Sequence, residues 1–158
     1  MTTEPQNILF VCTGNICRSP VAQFLADRMA REAGLTLRAS SAGVAAELGH
    51  GMEPGARRAL AARGIKGVSH LARQLDEPMC ADADQIYALA RDHRDIIVAR
   101  FPAHAAKVAV LREAAGLPDA DVEDPYGESD AVYEECAAKI EEALKILIRR
   151  NSHAENAR

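Results

Sequence analysis

The run Val11-Cys12-Thr13-Gly14-Asn15-Ile16-Cys17-Arg18-Ser19-Pro20 places a thiol and a guanidinium with five residues between them, at Cys12 and Arg18. A free thiol titrates near ~8.5, but at a helix N-terminus beside a cation it falls to roughly 3.5–7.5, which would make Cys12 a thiolate at neutral pH. Arg18 offers a planar fork of donors that matches two oxygens of a phosphoryl group. Gly14 is expected to let the turn bend with φ > 0, and Asn15 is one of the few other residues that tolerate the left-handed region. Ser19 suits an N-cap and Pro20 a first helical position, and the Ser19 hydroxyl could also donate to the thiolate. A nucleophile inside an anion cradle suits phosphoryl transfer through a cysteinyl-phosphate.

That chemistry needs elements to position it. Ile8-Leu9-Phe10-Val11 reads as a buried strand, and Val21, Phe24, Leu25 and Met29 follow at helical spacing. A strand, a tight turn and a helix start point several backbone N–H groups at one spot. The flanks matter because a bare Cys-x5-Arg spacing is common by chance and would equally fit an inert buried thiol.

With these flanks, residues 11–20 resemble the phosphate-binding loop of the low-molecular-weight protein tyrosine phosphatases, written C-x-G-N-x-C-R-S. Far along the chain, Glu123-Asp124-Pro125-Tyr126-Gly127 alone would read as a surface turn. Attack by Cys12 would expel a phenolate whose conjugate acid has pKa about 10, so a proton donor is required beside it. In the family the aspartate of the D-P-Y loop plays that part, which implies Asp124 as acid in the first step and base in the second. Asp121, Glu123 and the phosphate itself are expected to keep Asp124 protonated by like-charge repulsion.

Two further segments resemble the family. Ser40-Ser41-Ala42-Gly43 is similar to the end of its second strand, and Ser69-His70-Leu71-Ala72-Arg73-Gln74 to its S-H-x-x-R-Q segment. The resemblance implies Asn15, Ser19, Ser41 and His70 as braces of the loop formed by Thr13, Gly14, Asn15, Ile16 and Cys17. It also implies that Cys12 and Cys17 can close a reversible disulfide, with Cys17 trapping an oxidised Cys12; a small buried filler is the other reading of Cys17. Cys80 and Cys136 look structural.

Substrate choice turns on the pocket mouth. Relatives that act on phosphoarginine carry threonine where this chain has Ile16, whereas an apolar Ile16, with Tyr126 stacking opposite, favours an aryl ring. The family's usual aromatic after the second strand is missing from residues 44–51, which touches peptide selectivity and not the chemistry. Phosphotyrosine-containing proteins are therefore the expected substrates, with arginine phosphatase as the alternative. A related arsenate reductase needs two further cysteines near the third strand, and residues 88–94 have none. A non-catalytic phosphoprotein-binding module is disfavoured because Cys12, Arg18 and Asp124 are all present. No cofactor is expected, and no cluster has metal-ligand spacing.

The rest of the chain bounds the fold. At 158 residues, 48% of them hydrophobic, one phosphatase domain over 1–158 is expected, with 1–6 and about 150–158 as flexible tails. A net charge of −4 argues against nucleic acid. Four unpatterned cysteines and no apolar N-terminal stretch suggest a cytoplasmic protein, with export lacking a signal peptide left open. No run approaches a membrane span, and a monomer is the default. Strands are expected over 7–12, 35–41, 85–89 and 107–111, and helices over 19–33, 54–63, 76–81 and 93–100. A last helix carries Val132, Cys136, Ile140, Leu144, Leu147 and Ile148, with a polar, fraying tail from Arg149. This alternation predicts an α/β three-layer sandwich with a four-stranded parallel sheet. The resemblance adds a flavodoxin-like topology, with the site at the carboxyl end of the first strand.

Overall fold

Strand β1 (Gln6–Cys12) alternates its side chains between two apolar layers, and this alternation organises the molecule. Ile8, Phe10 and Cys12 enter one core cluster, while Leu9 and Val11 enter the other. The computed structural model describes residues 6–156. β1 lies between β2 (Leu37–Gly43) and β3 (Gln85–Ala88), and β4 (Val108–Val110) pairs on the far side of β3. All pairings are parallel, in the order β2-β1-β3-β4.

Helices cover both faces, as a parallel sheet buried on two sides requires. The larger cluster packs β1 against α1 (Arg18–Glu32), α2 (Pro54–Ala61), the short α5 (Leu111–Ala114) and the long α6 (Asp130–Asn156). The smaller cluster holds α3 (Glu77–Asp82) through Cys80 and α4 (Arg91–Arg100) through Ile97. A 3-10 turn, Pro102–Lys107, leads into β4. From β1 the chain moves outward to β2, then returns to the opposite side of β1 as β3. That reversal opens a crevice at the carboxyl end of β1, where Cys12 lies.

Several boundaries differ from the sequence reading. β2 starts and ends two residues later than expected, because Gly34 and Leu35 close α1 through bonds to the Arg31 and Ala30 carbonyls. α1 begins at Arg18 with Cys17 as its cap residue, so Ser19 is not the N-cap. α4 starts at Arg91, whose N–H donates to Asp121 Oδ1 at 2.8 Å, a cap supplied from 30 residues away. α6 stays helical through Asn156, past Arg149 where a polar tail was expected. The tail expectation for residues 1–5 and 157–158 lies outside the described residues. Among the described residues no helix is long and apolar enough to cross a membrane.

Candidate active site

The loop after β1 turns its carbonyls outward. The Cys12 and Thr13 carbonyls accept from Val44 and Ala45 N–H at 2.9 Å, and Gly14 O accepts from Glu47 N–H at 3.0 Å. Asn15 O accepts from His70 Nε2 at 2.7 Å, and Ile16 O from Glu53 N–H at 2.9 Å. A trans peptide points its N–H opposite to its C=O, and none of the described peptide bonds is cis, so the amides of residues 13–17 face inward. The N-terminus of α1 closes the same cradle and adds the positive end of its dipole.

Asn15 takes the turn, at φ 59°, and Gly14 does not have positive φ, contrary to expectation. A Cβ at Gly14 would sit 3.3 Å from Glu47 Cγ, the side chain of an exposed residue, and 3.6 Å from Ile16 Cγ1, so the position is snug without requiring glycine. Asn15 is fully buried and triply held. Its Nδ2 donates to Ser19 Oγ at 2.8 Å and Ser41 Oγ at 3.0 Å, and its Oδ1 accepts from Arg73 N–H at 2.9 Å. Ser41 Oγ donates in turn to Gln23 Oε1 at 2.6 Å. His70 must donate from Nε2, since a carbonyl only accepts; burial lowers its pKa and keeps it neutral.

Ser19 accepts from Asn15, which leaves its proton for Cys12 Sγ at 2.9 Å or the more distant Ala42 O at 3.4 Å, and its N–H approaches the same sulfur at 3.4 Å. Cys12 is 2% exposed. Arg18 is fixed by Nη1 donating to Val122 O at 2.9 Å, with Nη2 3.4 Å from Thr13 Oγ1 and 3.8 Å from Asp124 Oδ2. The loop carrying Asp124 is anchored to the sheet by Val122 N–H on Leu89 O at 2.9 Å. Asp124 Oδ1 accepts from Tyr126 N–H at 3.1 Å, a turn that leaves its carboxylate half-exposed at the mouth.

The expected repulsion on Asp124 is not built as the sequence suggested. Asp121 is paired with Arg91, which holds its carboxyl below the usual range, and Arg18 faces Asp124 with opposite charge. Cys17 is buried and its thiol is pushed up to about 12, mainly by burial, while it contacts the Tyr133 hydroxyl at 3.7 Å. Burial likewise raises Cys80 to about 11 and Cys136 to about 12. A cavity of about 270 Å³ opens above Cys12 and Arg18, with Ile16 and Tyr126 on its walls and Glu47, Glu53 and Asp124 adding carboxylates.

Every site residue expected from the sequence is thus brought to one cavity or its supports. Sequence reasoning missed Gln23, Arg73, Tyr133 and His93. The last is buried, with Nε2 2.9 Å from Thr13 Oγ1. The available signal was weak: a histidine just beyond the end of β3, on the side where the site lies.

Gly43 shows how closely β2 approaches the loop. A Cβ there would lie 2.4 Å from Thr13 O and 3.1 Å from Asn15 N, both rigidly held backbone atoms. Gly43→Ala should therefore destabilise the fold by about 1–3 kcal/mol through overpacking. Thermal unfolding should show a Tm several degrees lower, together with reduced kcat/KM; an unchanged Tm would mean the loop has slack.

A parallel α/β sheet whose first strand ends in a cysteine-bearing anion loop defines the class: an α/β protein built to handle phosphate. The family model described as low molecular weight phosphotyrosine protein phosphatase matches residues 7–156, and the chain belongs to that family. It is 36% identical over 143 residues to a protein-arginine-phosphatase of Bacillus subtilis, covering 90% of this chain and 95% of that one. It is 37% identical over 149 residues to a low molecular weight protein-tyrosine-phosphatase of Streptomyces coelicolor, covering 89% and 90%. The YwlE arginine phosphatase structure from Geobacillus stearothermophilus superposes with TM-score 0.89 at 32% identity, covering 97% of both chains.

Proposed function

We propose that this chain hydrolyses phosphotyrosine in proteins through a cysteinyl-phosphate intermediate. The observation that carries the reading is the placement of Cys12 Sγ, which two Ser19 donors approach at 2.9 and 3.4 Å, at the base of a loop with inward-facing amides. Those donors stabilise a thiolate. The sulfur attacks phosphorus while Arg18 and the loop amides hold the phosphoryl oxygens, and the P–O bond to tyrosine breaks. Asp124 gives its proton to the departing phenolate. Ionised, it then takes a proton from water as that water attacks phosphorus, the S–P bond breaks, and phosphate leaves. Arg18 and the amides supply the positive field, so neither step needs a metal ion or cofactor.

Asn15, Ser19, Ser41 and His70 keep the loop in shape, and Cys17, protonated at rest, would act as the resolving thiol only after Cys12 is oxidised. Ile16 and Tyr126 form the apolar sides of a slot for the ring. A monomer in the reducing cytoplasm is the reading that the four unpatterned cysteines of the sequence support.

A second reading, phosphoarginine hydrolysis, is favoured by the arginine phosphatases among the relatives and by Glu47 and Glu53, carboxylates that suit a guanidinium. Matched peptides carrying phosphotyrosine or phosphoarginine decide between them. Phosphotyrosine should be preferred by at least about tenfold in kcat/KM, the scale on which apolar pocket contacts discriminate. Equal or faster turnover of phosphoarginine would transfer the assignment.

A further inference from the structure

His93 lies in the first turn of α4, is 1% exposed, and brings Nε2 to 2.9 Å from Thr13 Oγ1. Among the described residues its Nδ1 is buried without a hydrogen-bond partner. Burial, followed by the Arg18 cation, pushes its pKa down to about 4, against the opposing pull of Asp92, Asp124 and Asp121. The ring is therefore neutral near pH 7 and carries a single N–H.

Where that hydrogen sits decides what Thr13 does. On Nδ1 it would be a buried N–H with no acceptor, an arrangement rarer in folded proteins than an unpaired acceptor. On Nε2 it donates to Thr13 Oγ1 and leaves only a bare lone pair buried. Arg18 Nη2, at 3.4 Å, points a second donor at the same oxygen. With both lone pairs of Oγ1 facing donors, the hydroxyl has only its own proton left to offer. Thr13 is exposed and lines the cavity above Cys12, so the acceptor that arrives within reach is the anion.

We propose that His93 is a positioning residue of the phosphate cradle, holding the Thr13 hydroxyl so that it donates to an oxygen of the bound phosphoryl group. This rests on reading the Cys12–Arg18 loop as a phosphoryl site. It adds to the backbone amides a side-chain donor whose direction is set from α4, 80 residues along the chain.

Inhibition by inorganic phosphate and kcat/KM for p-nitrophenyl phosphate would be measured for the wild type, Thr13→Val, Thr13→Ser, His93→Ala, His93→Gln and the Thr13→Val/His93→Ala double variant. Thr13→Val and His93→Ala should each weaken phosphate inhibition by about tenfold, the scale of one hydrogen bond to a charged group. The double variant should be no worse than the weaker single, because both remove one shared interaction. Thr13→Ser and His93→Gln, which keep a hydroxyl and an N–H donor, should stay near wild type. Unchanged phosphate inhibition in Thr13→Val, or losses that multiply in the double variant, would overturn the proposal. Thr13 is exposed, so its variants report even where His93→Ala fails to fold. A wild type that neither hydrolyses the ester nor is inhibited by phosphate would instead refute the phosphoryl-site reading itself.

Discussion

Cys12→Ser is expected to lower kcat on p-nitrophenyl phosphate by at least about ten-thousandfold, the scale on which removing a covalent nucleophile acts. The replacement is nearly isosteric and sits where the Ser19 hydroxyl and N–H already converge, so the loop has no reason to rearrange. A serine hydroxyl in that place is a far weaker nucleophile than a thiolate, and the donors that stabilise a thiolate do little for a neutral alcohol. Arg18 keeps its bond to Val122 O and the amides keep their direction, so phosphate should still bind with near wild-type affinity. The wild type should release a burst of p-nitrophenol equal to the enzyme concentration where hydrolysis of the intermediate is slow, and the variant none. Retention of more than a hundredth of the wild-type rate would remove Cys12 as nucleophile and assign the attack to another group or to water.

The parts of the site legible in the sequence are those whose chemistry ties residue type to local spacing. Cys12, Asn15, Arg18 and Ser19 fall within eight residues between a strand and a helix, an order that suggests a thiol in an anion cradle, while the bracing roles of Asn15 and Ser19 came from the family likeness. Asp124 is harder, because Asp-Pro is also an ordinary turn; only the need for a proton donor, together with the family likeness, picks it out. The braces that escaped detection act across the sheet. His93 reaches Thr13 from α4, and Arg73 reaches Asn15 through a backbone N–H that any residue could supply. Tyr133 packs its ring where a Gly55 Cβ would lie 2.3 Å away, a fit that no local pattern encodes.

The boundary errors have the same origin. Gly14 carries no positive φ because Asn15, held by Ser19 and by tertiary bonds to Ser41 and Arg73, makes the bend in its stead. Ser19 is not the cap of α1 because its hydroxyl is engaged by Asn15 and Cys12. Asp121 looks from sequence like a charge beside the acid, yet it caps α4 and pairs with Arg91. In each case a partner outside the expected local pattern took a group that local reasoning had already assigned.

Asp124→Asn should reduce kcat/KM on phenyl phosphate by about 100- to 10,000-fold, the usual share of a positioned general acid. Asparagine can keep the turn, since its Oδ1 still accepts from Tyr126 N–H, and Val122 still anchors the loop. The contact with Arg18 at 3.8 Å weakens, but that carboxylate is 55% exposed and such pairs contribute at most about 1 kcal/mol, so Tm should barely move. What asparagine cannot do is give up a proton, and the shortfall depends on how much the leaving oxygen needs one. A nitrophenolate departs with little help, a phenolate with more. A series of aryl phosphates of rising leaving-group pKa should therefore show a shallow dependence of log kcat/KM in the wild type and a steep one in the variant. Equal losses across the series would assign Asp124 to loop geometry instead of proton transfer, and the acid would have to be sought among the other carboxylates at the mouth, Glu47 and Glu53.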